Sequence, residues 1–323
     1  MDDDEIAIII GVILVVLAIL CVVSRFYARY NTKAGFEWDD WLILLALIVI
    51  IITDILVLVA SSVDPNGAVV ASNADPSYEF TPEDIWFTKV NYIATILYYT
   101  IISATKLSIL LMYRRLFSAN HSFRRQVLIL SLLVVGFWMG CTAADLLDCV
   151  PIEWTWNNAL TDPRYCFNYN IFWLATGIVE ALIDVLILAM PIRLVVGLQM
   201  NTSKKIAVAA VFLLGLFVIL SGLVKVAFSY VPGSRNPSFS KTEVWTTVHC
   251  CTGVICACLP ICWTLFSGFA RPRLGSWLAI SSIRKRWYGF SGWSSVDRTA
   301  PRGSTLELER SIGLSPRDYD LPR

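Results

Sequence analysis

The sequence predicts an all-α fold, a bundle of seven transmembrane helices with the amino terminus outside and the carboxyl terminus cytosolic. Three observations carry this: seven apolar stretches each long enough to cross a bilayer, charge confined to the gaps between them, and Lys and Arg crowded into alternate gaps. Composition agrees, with 56% hydrophobic and 16% charged residues and a mean hydropathy of +0.64, too apolar for an ordinary soluble domain. A net charge of +1 gives no basic bias toward nucleic acid.

The stretches are Ile6 to Val23, Trp41 to Ala60, Lys89 to Met112, Val127 to Leu147, Ile171 to Met190, Ile206 to Tyr230 and Glu243 to Ser267. Each holds roughly 18 to 25 residues, which at about 1.5 Å per residue matches a hydrocarbon core about 30 Å thick. A helix satisfies its own backbone N–H and C=O groups where no water reaches them. No stretch alternates polar and apolar with period two, so a barrel is not indicated.

Orientation follows from the cations. Arg25, Arg29 and Lys33, then Arg114, Arg115, Arg124 and Arg125, then Arg193, Lys204 and Lys205, and finally Arg271, Arg273, Arg284, Lys285 and Arg286 fall in one set of loops. The opposite set holds Arg164, Arg235 and Lys241, with Lys89 at a helix mouth. The first set is therefore cytosolic, and Arg114, Arg115, Arg124 and Arg125 form a basic face there. The sequons at Asn120 and Asn201 fall on that side and are expected to stay unglycosylated.

Helix 1 follows an acidic start, Asp2 to Glu5, without the basic region of a signal peptide, and is expected to remain as an anchor. Helix 2 is followed by Ser61 to Thr88, rich in Asp, Pro, Asn, Ser and Gly, which reads as an exposed outer loop. Helix 3 carries Lys106 on a polar stripe with Tyr92, Thr95, Tyr99, Ser103 and Tyr113. Helix 4 carries Asp145 and leads into an outer loop flanked by Cys149 and Cys166. In an oxidising compartment these two can bridge, holding Trp154, Trp156 and Pro163 over the bundle mouth, or remain free thiols.

Helix 5 carries Glu180 and Asp184 one turn apart on one face. Lys106 and Asp184 each precede the inner end of their helix by seven residues, about 10 Å, so they are candidates for a buried ion pair, or for struts that merely fix packing. Helix 6 carries Lys225 and helix 7 His249. With Asp145 and Trp154 they are the candidates for an outer ligand pocket, because ionisable groups inside spans are costly unless paired or hydrated. Helix 7 also holds Cys250, Cys251, Cys256, Cys258 and Cys262. Cys251, Cys258 and Cys262 share a face that admits a metal on spacing alone, whereas small residues at close helix contacts explain it more simply, and no metal is assigned. Three regions result: 1–270 as the bundle, 271–288 as a basic juxtamembrane segment, and 289–323 as a disordered cytosolic tail.

Several motifs together resemble a known family. They are Glu37-Trp38-Asp39-Asp40-Trp41, Lys106-Leu107-Ser108-Ile109-Leu110-Leu111-Met112-Tyr113-Arg114-Arg115-Leu116-Phe117, Cys149-x-Pro151-x-x-Trp154 with Cys166, Asp184 with Pro191, and Ile255-Cys256-Ala257-Cys258-Leu259-Pro260. The combination is similar to the fungal rhodopsin-like seven-transmembrane integral membrane proteins over about residues 6 to 270. That family includes receptor-like surface-sensing proteins and membrane proteins of secondary-metabolite clusters such as the satratoxin type. The resemblance implies a multi-pass membrane protein of receptor-like type. Two positions depart from the pattern: His249 stands where the family usually has an acid, and Lys225 where Arg is common.

Retinal is not expected, because helix 7 lacks the lysine that microbial opsins use, and no other cofactor is indicated. The Asp-Arg-Tyr and Asn-Pro-x-x-Tyr motifs of animal receptors are missing too. No zinc-motif spacing or other catalytic pattern occurs, so an enzyme is not expected. The expected partners are the lipid bilayer, an unidentified small molecule and a cytosolic signalling protein. Export or transport of a small metabolite is the alternative, weakened by the lack of any visible inverted repeat.

Overall fold

A computed structural model describes residues 3–33, 35–64, 67, 81–116, 121–156, 164–192, 202–238 and 242–274. Among the described residues seven helices follow one another: α1 Asp3–Asn31, α2 Trp38–Val63, α3 Pro82–Leu116, α4 His121–Leu146, α5 Tyr169–Ala189, α6 Thr202–Ser229 and α7 Thr242–Leu274. A 3-10 turn, Ile152–Thr155, lies between α4 and α5. All seven helices are long and apolar enough to span a bilayer, and no strand occurs among the described residues. Contacts gather into a unit of Met1–Ser267 that carries the bundle and a second unit, Gly268–Arg323. The expected segments 271–288 and 289–323 lie outside the described residues except for the end of α7, as do Asn120 and Asn201.

The outer surface is apolar and the interior mixed, the inverse of a soluble bundle. Leu20 and Val23 on α1, Ile129 and Leu132 on α4, Leu182 on α5 and Leu213 on α6 all face outward, where lipid tails accept them at no cost. α3 is the axis of the bundle: 67% of its spanning window is buried, against 44% in α7, the next highest. One core cluster joins α1, α2, α3, α4, α5 and α7 through Ala18, Ile43, Tyr99, Cys141, Trp173 and Cys251. A second, built on Leu110, Val127, Val134 and Ile183, holds α3, α4 and α5 together. α6 lies along α5, where a Cβ at Gly177 would meet Val226 Cγ2 at 2.2 Å, so only glycine permits that approach.

The helices are longer than the apolar stretches, and two of the extensions move functional residues or a loop. α3 begins at Pro82, because Thr81 and Asp84 form a reciprocal cap: Thr81 N–H donates to Asp84 Oδ2 at 2.8 Å and Asp84 N–H to Thr81 Oγ1 at 3.2 Å. Residues 82–88, read as loop, are its first two turns. α1 runs on to Asn31, so Arg25 and Arg29, read as loop cations, are helical and buried. Cys251, Cys258 and Cys262 are all buried, packed where α7 meets α1, α2 and α3, and Cys262 Sγ lies 2.9 Å from Ser24 Oγ.

Candidate functional site

Glu180 is the hub of the bundle interior. From α5 its carboxylate faces donors on three other helices: Tyr98 O–H donates to Oε2 at 2.5 Å, Lys225 Nζ lies 3.3 Å from the same oxygen, His249 Nε2 is 2.9 Å from Oε1, and Lys106 Nζ is 3.6 Å from Oε1. Lys106 also donates to Asp184 Oδ1, one turn further along α5. Lys225 donates to the Tyr98 hydroxyl and sits over the Tyr98 and Trp173 rings, 4.1 and 5.2 Å from their centroids. Tyr98, Lys106, Glu180, Lys225 and His249 are all buried.

Lys106, Asp184 and Glu180 lie together in this cluster, and Lys225 and His249 lie with them. Asp145 and Trp154 do not. Asp145 is buried under the mouth, taking the Tyr169 hydroxyl on Oδ1 at 3.2 Å and the Tyr92 hydroxyl on its backbone carbonyl at 3.1 Å. Trp154 stacks on Tyr165 at 4.7 Å and packs on the disulfide. Ligand-forming atoms of Glu180, Asp184 and His249 come within 4.8 Å of one another. The ammonium groups of Lys106 and Lys225 already fill the places a cation would take, so the arrangement is an ion-pair cluster.

Beside this cluster lies a cavity of ≈ 60 Å³, walled by α3, α5, α6 and α7. That is room for about four waters or one small ligand group. Lys106, Asp184 and His249 supply its polar wall, and Ile109, Leu188 and Val218 part of its apolar one.

At the mouth, Cys149 and Cys166 form a disulfide. Val150 N–H donates to Tyr165 O at 2.9 Å alongside it. Arg235, in the α6–α7 connection, donates to Cys166 O at 2.6 Å, and Asn170 at the start of α5 donates to Val231 O and Ser234 O at 2.7 and 3.0 Å, so the two loops are one cap. The disulfide closes a separation of 17 residues, worth about 3 kcal/mol through the unfolded chain's entropy. Cys149→Ser with Cys166→Ser should lower the thermal midpoint of purified protein by that stabilisation, and dithiothreitol should lower the native midpoint while leaving the double variant unmoved.

Beneath the same cap, burial pushes the Asp148 carboxyl up to about 7, with Arg235 pulling it back down. A carboxyl raised on folding stabilises most when protonated. Its contribution is complete below about pH 4, the ordinary carboxylate range, and is lost as pH rises through about 7. Native protein should therefore melt higher at pH 5 than at pH 8, and Asp148→Asn should remove part of that slope; an unchanged slope would exclude Asp148 as its source.

At the opposite end lies a charge cluster absent from the candidates drawn from sequence. Arg25 donates to Asp39 Oδ2 at 2.6 Å, to Asp40 Oδ1 at 2.8 Å and to Ala257 O of α7 at 2.8 Å. Arg29 reaches the same two carboxylates at 2.6 and 3.3 Å. Ser108 Oγ of α3 donates to Asp39 O at 2.7 Å, so four helices are tied here. Of the basic face, Arg114, Arg124 and Arg125 are exposed, and Arg115 pairs with Glu37 at 3.3 Å.

A seven-helix membrane bundle with charge networks near its middle and at one end, and a disulfide cap at the other, defines the class of protein. The family profile described as the fungal rhodopsin domain matches residues 24–268, and the chain belongs to that family. It is 28% identical to the receptor GIN3 of Arthrobotrys oligospora over 93% of this chain and 71% of that protein. It is 29% identical to an SAT4 family membrane protein of Emericella nidulans over 58% of this chain, a match spanning about half (48%) of that relative. Satratoxin biosynthesis SC1 cluster protein 4 of Stachybotrys chartarum is 25% identical over 54% of this chain and 64% of its own length. No solved structure matches.

Proposed function

We propose that this protein is a receptor-like sensor, with its disulfide cap outside the membrane and its carboxyl terminus in the cytosol. The observation that carries the reading is the convergence of α3, α5, α6 and α7 on Glu180, beside a cavity walled by the same four helices. A small molecule entering that cavity meets the residues that hold those helices in register, so occupancy changes the register. The Arg25 cluster at the far end binds α1, α2, α3 and α7, which gives such a change a second set of contacts to rearrange near the basic face. The name of the receptor GIN3 supports the sensor class. The Lys and Arg asymmetry and the disulfide support the orientation.

The test begins with protein in nanodiscs screened against a small-molecule library by thermal shift. Each hit then enters two assays: nucleotide exchange on a co-reconstituted fungal heterotrimeric G protein, and uptake of the radiolabelled hit into proteoliposomes. Exchange without uptake is the result expected of a sensor. Uptake without exchange overturns the sensor in favour of a transporter.

A further inference from the structure

We infer that His249 is a proton-binding site, and that its protonation sets the packing of α6 against α7. The argument is a count of donors and acceptors. His249 Nε2 faces Glu180 Oε1 at 2.9 Å. Glu180 is surrounded by donors alone, from Tyr98, Lys225, Lys106 and His249, so it is the ionised acceptor and the ring must donate to it. His249 Nδ1 lies 3.1 Å from the carbonyl of Val218 and 3.2 Å from Ser221 Oγ. The Ser221 hydroxyl donates to that same Val218 carbonyl at 2.8 Å, which leaves its oxygen as an acceptor toward the ring. Both ring nitrogens therefore meet acceptors, and only the imidazolium donates from both.

The charge count pulls the other way. With the ring protonated, the cations Lys106, Lys225 and His249 face two carboxylates, Glu180 and Asp184, an excess of one positive charge inside the membrane span. Loss of one proton balances the cluster at the expense of the Nδ1 hydrogen bond. The two costs oppose each other on a single group, which makes that group the one that exchanges a proton.

Titratable groups face the ring from several helices. α3 presents Tyr98 and Lys106, α5 Glu180 and Asp184, and α6 Lys225 and the Ser221 hydroxyl. α2 presents Asp54, which accepts from the Thr247 hydroxyl at 3.1 Å, and α7 itself adds the Cys250 thiol. α1 meets this part of α7 at Gly11, against Thr247, and brings no titratable group there among the described residues.

Ser221 supplies the two states. When Nδ1 is protonated the hydroxyl points to Val218 O; when Nδ1 is bare the hydroxyl can turn and donate to it. The ring lies so close on α6 that a Cβ at Gly222 would sit 3.1 Å from its Cε1 and 3.2 Å from Nδ1, so any adjustment of the ring is felt by α6. His249 lines the cavity, which gives water and protons a place from which to reach it. The proton is then a ligand in its own right, whether the protein senses or transports.

The chain has two histidines, and His121 is exposed, so a His121→Gln chain leaves a single imidazole. With ¹⁵N-labelled histidine in nanodiscs, the His249 ring is expected to pass reversibly between its imidazolium and neutral forms as pH is stepped over the interval in which the protein stays folded. In Ser221→Ala the neutral ring loses its donor, so the proportion of the two ring forms should differ from that in the native chain at the same pH. Hydrogen exchange in residues 218–222, corrected for intrinsic rates, should change across the same interval and not change in His249→Gln. One ring form throughout overturns the proton site, and α6 exchange that ignores the ring's state overturns the coupling. The ring titration stands even where His249→Gln fails to fold, and neither measurement depends on the sensor reading.

Discussion

Glu180→Gln is expected to destabilise the bundle by about 3–5 kcal/mol, the usual consequence of removing one partner from a buried charge network. The amide keeps the shape of the carboxylate but not its charge. Lys225 then has no carboxylate within 4 Å and only the Tyr98 hydroxyl and the Tyr98 and Trp173 rings around it, while His249 loses the acceptor of Nε2. The amide's one carbonyl oxygen can replace only one of the two acceptors, and the N–H₂ then faces two groups that are themselves donors, Tyr98 and Lys225 or His249 and Lys106. Asp184→Asn should do less, because Lys106 retains Glu180 at 3.6 Å. Both are measured as thermal midpoints of protein in nanodiscs, with yield of monodisperse protein as the check. An Asp184→Asn protein less stable than Glu180→Gln would move the hub from Glu180 to Asp184.

The helices were legible because hydropathy is a property of consecutive residues, and so were the residues one helical turn apart: Glu180 and Asp184 are where their spacing puts them. Lys225 was assigned to a separate outer group because depth was counted along the chain. It lies only four residues from the end of α6, about 6 Å, whereas Glu180 lies 11 residues inside α5, about 16 Å. The four-carbon stem of the lysine covers part of that difference and brings Nζ over Tyr98 and Trp173, a reach that residue position alone does not disclose. His249 was drawn to the same outer group, and its bond to Glu180 arises from how α7 lies against α5. No one-dimensional pattern contains that. Asp145 and Trp154, grouped with them, belong instead to the cap. The cap of α3 is written in Thr81-Pro82-Glu83-Asp84, a four-residue signal at the end of a long run whose composition reads as loop.

The Arg25 cluster shows the limit of a rule applied to cations alone. Lys and Arg near the ends of spans normally anchor in headgroups, and Arg25 and Arg29 fit that description until their depth is seen. The signal for more was the pair Asp39 and Asp40 opening an apolar helix a few residues on. Two acids in the first turn of α2 favour that helix end, and the guanidinium groups one turn apart near the end of α1 favour theirs. Oppositely charged pairs on either side of a short connection are positioned to meet. Burial then makes the pairing obligatory, since Arg25 and Asp40 are 0% exposed.

Arg25→Met is accordingly expected to cost about 3–5 kcal/mol, comparable to Glu180→Gln, for a different geometric reason. Met fills the volume of the stem, leaving the loss to charge and hydrogen bonds. Arg29 would then serve both Asp39 and Asp40 alone, at 2.6 and 3.3 Å, and the Ala257 carbonyl of α7 would lose its donor. Arg25→Lys should recover only part of this, because one ammonium cannot reproduce a planar fork that reaches two carboxylates and a carbonyl on another helix. Arg29→Met should cost less than Arg25→Met, since Arg29 is buried less completely, at 7% exposure against 0%, and its hydrogen bonds go to Asp39 and Asp40 rather than to α7. The order to be measured in thermal midpoints is native above Arg29→Met, then Arg25→Lys, then Arg25→Met. An Arg25→Met protein within about 0.5 kcal/mol of native, the range of an ordinary surface substitution, would remove the cluster as a tie between α1, α2 and α7.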